Sequence, residues 1–131
     1  MTKIDKTRLL FEDDIFPTAQ SILIELLRKD PNYSIKREAK NKVHVTCRGQ
    51  AILLTSILKA KGIPARARSG FSEYLRNDGI YRDHWITEYF NEKENRWILV
   101  DADDYCFGDN LDFDLTDIPH NQFLFGANTY L

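Results

Sequence analysis

The sequence predicts an α+β fold in which N-terminal helices pack on an antiparallel sheet formed by the second half of the chain. Three observations carry the prediction. Apolar residues recur at helical spacing before residue 30 and again from Cys47 onward, and after Pro64 the pattern changes to runs of strand character. A polar turn then joins two of those runs.

The first helix opens at Phe16 and Pro17, sets Ala19, Ile22, Leu23, Leu26 and Leu27 at helical spacing and closes at Asp30-Pro31, so it is expected to pack on the core. Residues 31–42, PNYSIKREAKNK, are polar and mostly without period, as in a loop, with Tyr33 and Ile35 available to bind it down. The second helix starts at Cys47. Ala51, Leu54 and Leu58, flanked by Ile52, Leu53 and Ile57, make it apolar over much of its circumference, which fits a central, buried position, and Gly62 with Pro64 ends it. Three strand-like runs follow, from Ala65 to Tyr74, His84 to Phe90 and Arg96 to Asp101. With Asn91 to Glu94 as a four-residue loop, Phe90 pairs with Asn95 and His84 lies opposite Asp101. A slip of one residue would send one of those two side chains to the other face of the sheet.

The 131 residues fit one domain, residues 1–131, and 43% hydrophobic with 12% aromatic residues suffices for a packed core. Eighteen basic against 20 acidic side chains give a formal net charge of −2, so no global basic field exists to hold nucleic acid or anionic lipid. No apolar run approaches the roughly 20 residues of a membrane helix. The N-terminal MTKIDKTRLLFEDD lacks the apolar stretch of a signal peptide, and only two cysteines occur, so a reduced, cytoplasmic protein is expected.

The order of Cys47, His84 and Asp101 carries the chemistry. A thiol becomes a useful nucleophile when a histidine takes its proton and a third polar group orients that histidine. With Thr46 as N-cap, Cys47 falls in the first helical turn, where unpaired backbone N–H groups and the helix dipole stabilise a thiolate and can also hold the oxyanion of an acyl-transfer intermediate. His84 then serves as general acid and base, and Asp101 fixes its tautomer. Each residue also has a plain structural role: a cysteine at a helix start as a small core residue, an aspartate at a strand end as part of a solvated acidic turn.

Other groups are less committed. Arg68, Phe71 and Tyr74 on the first strand and Trp85 beside the histidine are candidates to wall a substrate groove, although core packing accounts for the aromatics equally well. No metal or cofactor is expected. His44 and Cys47 lack a second pair to complete a zinc shell, and in DADDYCFGDN, residues 101–110, Tyr105 and Cys106 stand where a calcium loop wants oxygen and glycine. Cys106 reads as a bystander thiol.

Three segments, in order, resemble the transglutaminase-like superfamily. CRGQAILLTSILKAKGIPAR, Cys47 to Arg66, is similar to its nucleophile helix and the following GIPAR turn; DHWITEYF, Asp83 to Phe90, to its His-aromatic strand; and RWILVDAD, Arg96 to Asp103, to its W-x-x-V-D strand. The resemblance implies a papain-like core with Cys47 as nucleophile, His84 as general acid/base and Asp101 as third member. It also implies a structural ion pair for Arg66. Asn41, six residues before Cys47, stands where papain-like enzymes place an amide oxyanion donor, with His44 as the nearer alternative. Ala102 replaces the usual proline after the family's aspartate. The family hosts protein cross-linking, amide hydrolysis, deamidation and deglycosylation, as well as inactive members. The absence of paired CxxC motifs and the short length disfavour the zinc-bearing N-glycanases and the multidomain calcium-dependent enzymes. The expected function is cysteine-dependent acyl transfer on a peptide or protein amide, with no nucleic-acid or membrane partner; the alternative is a catalytically silent interaction module. The tail FDLTDIPHNQFLFGANTYL also resembles small bacterial relatives that continue further, so a shortened chain is expected.

Overall fold

The computed structural model describes residues 12, 15–34, 36–76, 78–103 and 111–128. Its regular elements are helices α1 (Ala19–Lys29) and α2 (Cys47–Ala60) and strands β1 (Ala65–Ser72), β2 (Arg82–Asn91), β3 (Arg96–Val100) and β4 (Phe123–Phe125). The strands form one antiparallel sheet in the order β3-β2-β1-β4, with α2 packed on it and α1 packed on α2, so the expected α+β fold is the one observed. Among the described residues no helix is long and apolar enough to cross a membrane.

Helix α1 begins in a reciprocal cap. Thr18 Oγ1 accepts from the Ser21 N–H at 3.1 Å while Ser21 Oγ accepts from the Thr18 N–H at 3.1 Å, satisfying two donors the helix itself leaves open. Ile22 is fully buried, but Leu27 of the expected stripe is 41% exposed. The polar stretch that follows is tied down by Arg37; of the two apolar anchors expected there, Tyr33 is 60% exposed and Ile35 lies outside the described residues. The Arg37 guanidinium donates to the carbonyls of Leu26 and Asn41 through one nitrogen and to those of Asp30 and Asn32 through another, which caps the end of α1 and folds the loop back on it.

The buried residues of α2 differ from the leucines named in the sequence. Gly49, Ala51 and Thr55 are the buried ones, with Leu54 and Leu58 only half-buried. Small residues let the helix backbone approach the sheet, and a chain of hydroxyls closes the contact. Thr87 of β2 donates to the Ala51 carbonyl at 3.0 Å, so its oxygen is the acceptor for Thr55 Oγ1 at 3.3 Å. Leu53, Leu54 and Ile57 instead line a groove with Ile22 and Leu26 of α1. Gly62, at φ +79°, lets the chain leave α2 with the Ile63 N–H bonded back to the Leu58 carbonyl.

The hairpin loop is four residues long, as expected, but displaced by one. Asn91 pairs with Arg96, the loop is residues 92–95, and Asn95 takes the positive φ of 51° that asparagine tolerates. Asn91 Oδ1 accepts from the N–H groups of Lys93 and Glu94, which sets the turn. Phe90 consequently pairs with Trp97 rather than Asn95, a shift of two residues, and β3 ends at Val100, one residue before Asp101. An even shift preserves the face on which each side chain lies.

Since Thr87 points to α2, its neighbour Ile86 points away from it. Ile86 joins Tyr74, Leu99, Ile118 and Phe123 in the buried cluster, packed by Leu111, Phe113 and Leu115 from the long connection to β4. That fourth strand was not foreseen. It runs antiparallel to β1, and Gly70 permits it: a Cβ there would clash with the Leu124 carbonyl oxygen and stand 2.7 Å from the Phe123 ring.

Candidate active site

Cys47 is the first residue of α2, preceded by Thr46 at the N-cap, and its free thiol is half-buried. Its backbone N–H and those of Arg48 and Gly49 are the opening donors that a helix cannot satisfy internally. Ala51 and Thr55, one and two turns on, hold α2 to β2 through Thr87. Three residues before Thr87 on that strand is His84, 3% exposed.

His84 and Asp101 meet despite the shifted register. His84 Nε2 lies 2.6 Å from Asp101 Oδ2, with the aspartate reaching the ring from just beyond β3 instead of from the directly opposite position. The aspartate is held at side chain and main chain: Oδ1 accepts from the Asp103 N–H at 2.9 Å, and the Asp101 backbone N–H donates to the Leu115 carbonyl at 2.9 Å. Burial pulls the His84 ring below its ordinary value of 6.5, but hydrogen bonds to Asp101 and Cys47, together with the charges of both, raise it to about 9. The ring is therefore a cation at neutral pH. With Nε2 committed to Asp101, Nδ1 is the nitrogen available to the thiol.

Three of the four residues expected to wall a groove do share one. Arg68, Phe71 and Trp85 line an open cleft of about 540 Å³ together with His84, Asp83 and Phe125. Tyr74 does not. It is 4% exposed, set edge-on to Phe113 with ring centres 5.5 Å apart, and its hydroxyl donates to Asp101 Oδ2 at 2.8 Å. A tyrosine in an apolar cluster needs an acceptor for its hydroxyl, and the aspartate supplies it.

Arg68 is also not a free cation. Both Arg66, at 2.6 Å, and Arg68, at 2.8 Å, donate to Glu88 Oε2, whose side chain is only 5% exposed. Arg66 lies over the Trp97 ring and Arg68 over the Phe125 ring, 4.3 and 4.1 Å from the centroids. The two arginines and one buried glutamate thus form a ladder across the sheet, and Arg66 has the structural pairing expected of it. Asn41 ends a 3-10 turn, Ala39–Asn41, with its carbonyl held by Arg37; among the described residues no hydrogen bond joins it to Cys47. The main chain of His44 is held by Glu12, whose carboxylate accepts from its N–H. Among the described residues no group of three His, Cys, Asp or Glu side chains is arranged to hold a metal ion. Cys106 and residues 104–110 of the acidic stretch lie outside the described residues.

Tyr74 was a candidate for the groove wall or the core, and its partnership with Asp101 is the part the sequence did not show. Its available signal was position, a tyrosine two residues past the strand that pairs with His84. No curated protein and no solved structure matches the chain. The model of the transglutaminase-like superfamily matches residues 22–102, well over half of the chain, from α1 to the residue after Asp101. With its helix-on-sheet core and its Cys47, His84 and Asp101 segments inside the matched span, the chain belongs to the transglutaminase-like superfamily.

Proposed function

We propose that this chain is a cysteine-dependent acyl-transfer enzyme acting on a peptide-like amide, with Cys47 as nucleophile, His84 as general acid and base, and Asp101 as the group that orients His84. The observation that carries the reading is the buried 2.6 Å contact between His84 Nε2 and Asp101 Oδ2, on a ring whose other partner is Cys47.

In this mechanism the Cys47 sulfur, facing the cationic His84 ring, attacks the amide carbonyl carbon and the carbonyl π electrons move onto oxygen. The resulting oxyanion sits over the first turn of α2, where backbone N–H groups donate to it. Collapse breaks the C–N bond, and the His84 proton goes to the departing amine. Water, or a primary amine, then attacks the thioester carbon while neutral His84 accepts its proton, and collapse breaks the C–S bond, which releases the acid or the new amide and returns the Cys47 thiolate beside the protonated ring. Asp101, fixed by its own hydrogen bonds, keeps Nε2 occupied so that Nδ1 exchanges the proton. The cleft of Arg68, Phe71 and Trp85 reaches His84 and gives an aromatic-walled approach for an extended peptide.

The test is acyl capture. Peptide amides incubated with the full chain and hydroxylamine should yield hydroxamates in wild type and none in Cys47→Ala. A folded wild type that forms neither hydroxamate nor acid from any glutamine-, asparagine- or C-terminal-amide peptide, while Trp85→Ala abolishes binding to a protein partner, would instead favour a silent interaction module.

A further inference from the structure

Tyr74 belongs to the site, and its geometry suggests more than packing. Its hydroxyl and His84 Nε2 converge on one atom, Asp101 Oδ2, at 2.8 and 2.6 Å, while Asp101 Oδ1 is occupied by the Asp103 N–H. The Tyr74 ring stands perpendicular to the His84 ring, 85° between planes and 6.2 Å between centres, so the phenol reaches the carboxylate along the imidazole edge. Phenylalanine would fill the same apolar space; the hydroxyl is what distinguishes tyrosine here.

We infer that Tyr74 is a positioning residue that acts through Asp101: by sharing Oδ2 with His84 it holds the carboxylate in place and withdraws part of its charge from the imidazole, so that His84 can release its proton during the reaction. The inference rests on the proposed Cys47, His84 and Asp101 assignment. A carboxylate oxygen that accepts a second hydrogen bond is a weaker partner for the first donor, because its charge is already partly compensated. Burial, then the charge of Asp101, then the hydrogen bond to it push the Tyr74 phenol upward, so it remains a protonated donor while His84 titrates. Among the described residues, the titratable groups acting on the pair are Asp101, from beyond β3, and Cys47, from α2, with the Ser72 hydroxyl of β1 also acting on Tyr74.

The experiment is a proton NMR titration of the His84 ring in the full chain, assigned through His84→Gln, in wild type, Tyr74→Phe and Asp101→Asn. Removing the hydroxyl leaves Asp101 to His84 alone, so Tyr74→Phe is expected to raise the His84 midpoint by about half to one pH unit. Asp101→Asn is expected to lower it. Should Tyr74→Phe fail to fold, 3-fluorotyrosine placed at position 74 decides the matter: its more acidic hydroxyl donates more strongly and should lower the midpoint. An unchanged or lowered midpoint in folded Tyr74→Phe, or an unchanged one with 3-fluorotyrosine, overturns the inference. If Asp101→Asn still moves the midpoint, the failure is confined to Tyr74. If Asp101→Asn leaves it in place too, the triad assignment has failed and Tyr74 with it.

Discussion

A protonated His84 in the core makes stability depend on pH in a direction that can be worked out in advance. The folded ring titrates near 9 against an ordinary 6.5. At about 1.4 kcal/mol for each pH unit, the charged ring contributes roughly 3 kcal/mol. Below pH 6.5 the ring is protonated folded and unfolded alike and the whole contribution is present. It is lost as the pH rises through 9, where the folded ring also gives up its proton. The hydrogen bond and charge of Cys47 contribute to the rise, so the clean comparison is between Cys47→Ala and Cys47→Ala/His84→Gln. Removing the thiol leaves the part due to Asp101, of the same sign and smaller than that total, so the difference in melting temperature is expected to stay below about 10 °C. Thermal unfolding by circular dichroism at steps from pH 6 to pH 10 should show the Cys47→Ala protein most favoured over its partner at pH 6, with the advantage shrinking through pH 9. A difference that stays constant, or that grows with pH, would refute a cationic His84, since a buried neutral ring stabilises the fold in the opposite sense.

Two substitutions test how the site is positioned. Gly70→Ala drives a Cβ against the Leu124 carbonyl and the Phe123 ring, so urea denaturation should show a loss of about 2–3 kcal/mol, and undiminished stability would mean β4 does not lie this close to β1. Thr87→Val removes the donor to the Ala51 carbonyl and the acceptor of Thr55 from a site 1% exposed, and should cost about 1–3 kcal/mol by the same assay; a neutral effect would show that these hydroxyls do not hold α2 to the sheet.

The fold and the candidate site around His84 and Asp101 were legible because their signals are local. Apolar periodicity marked both helices, strand character marked β1 to β3, and Asn91 to Glu94 marked the hairpin to within one residue. The His84 and Asp101 contact survived a register two residues from the expected one, because an even shift keeps both side chains on their faces and a diagonal neighbour remains within reach of a long side chain. What stayed hidden depends on contacts distant in sequence. β4 is three residues long and is made a strand by lying against Gly70, with no pattern of its own. Arg37 orders a polar loop through main-chain carbonyls, which leave no mark on side-chain periodicity. The buried contact of α2 adds Gly49 and Thr55 to the expected Ala51, where a hydropathy pattern favours the leucines. Tyr74 was expected on a groove wall because an aromatic beside a site looks like a binding surface; its burial follows from Phe113, 39 residues away, and its hydroxyl partner from Asp101, 27 residues away.

The most direct test of the account is the reactivity of the thiol itself. Alkylation of the reduced, folded chain by iodoacetamide at pH 6, with each modified cysteine located by mass spectrometry, should find Cys47 modified readily in wild type and at least about tenfold more slowly in His84→Ala. Equal rates in the two proteins would mean that His84 does not activate Cys47, and the acyl-transfer reading would fall.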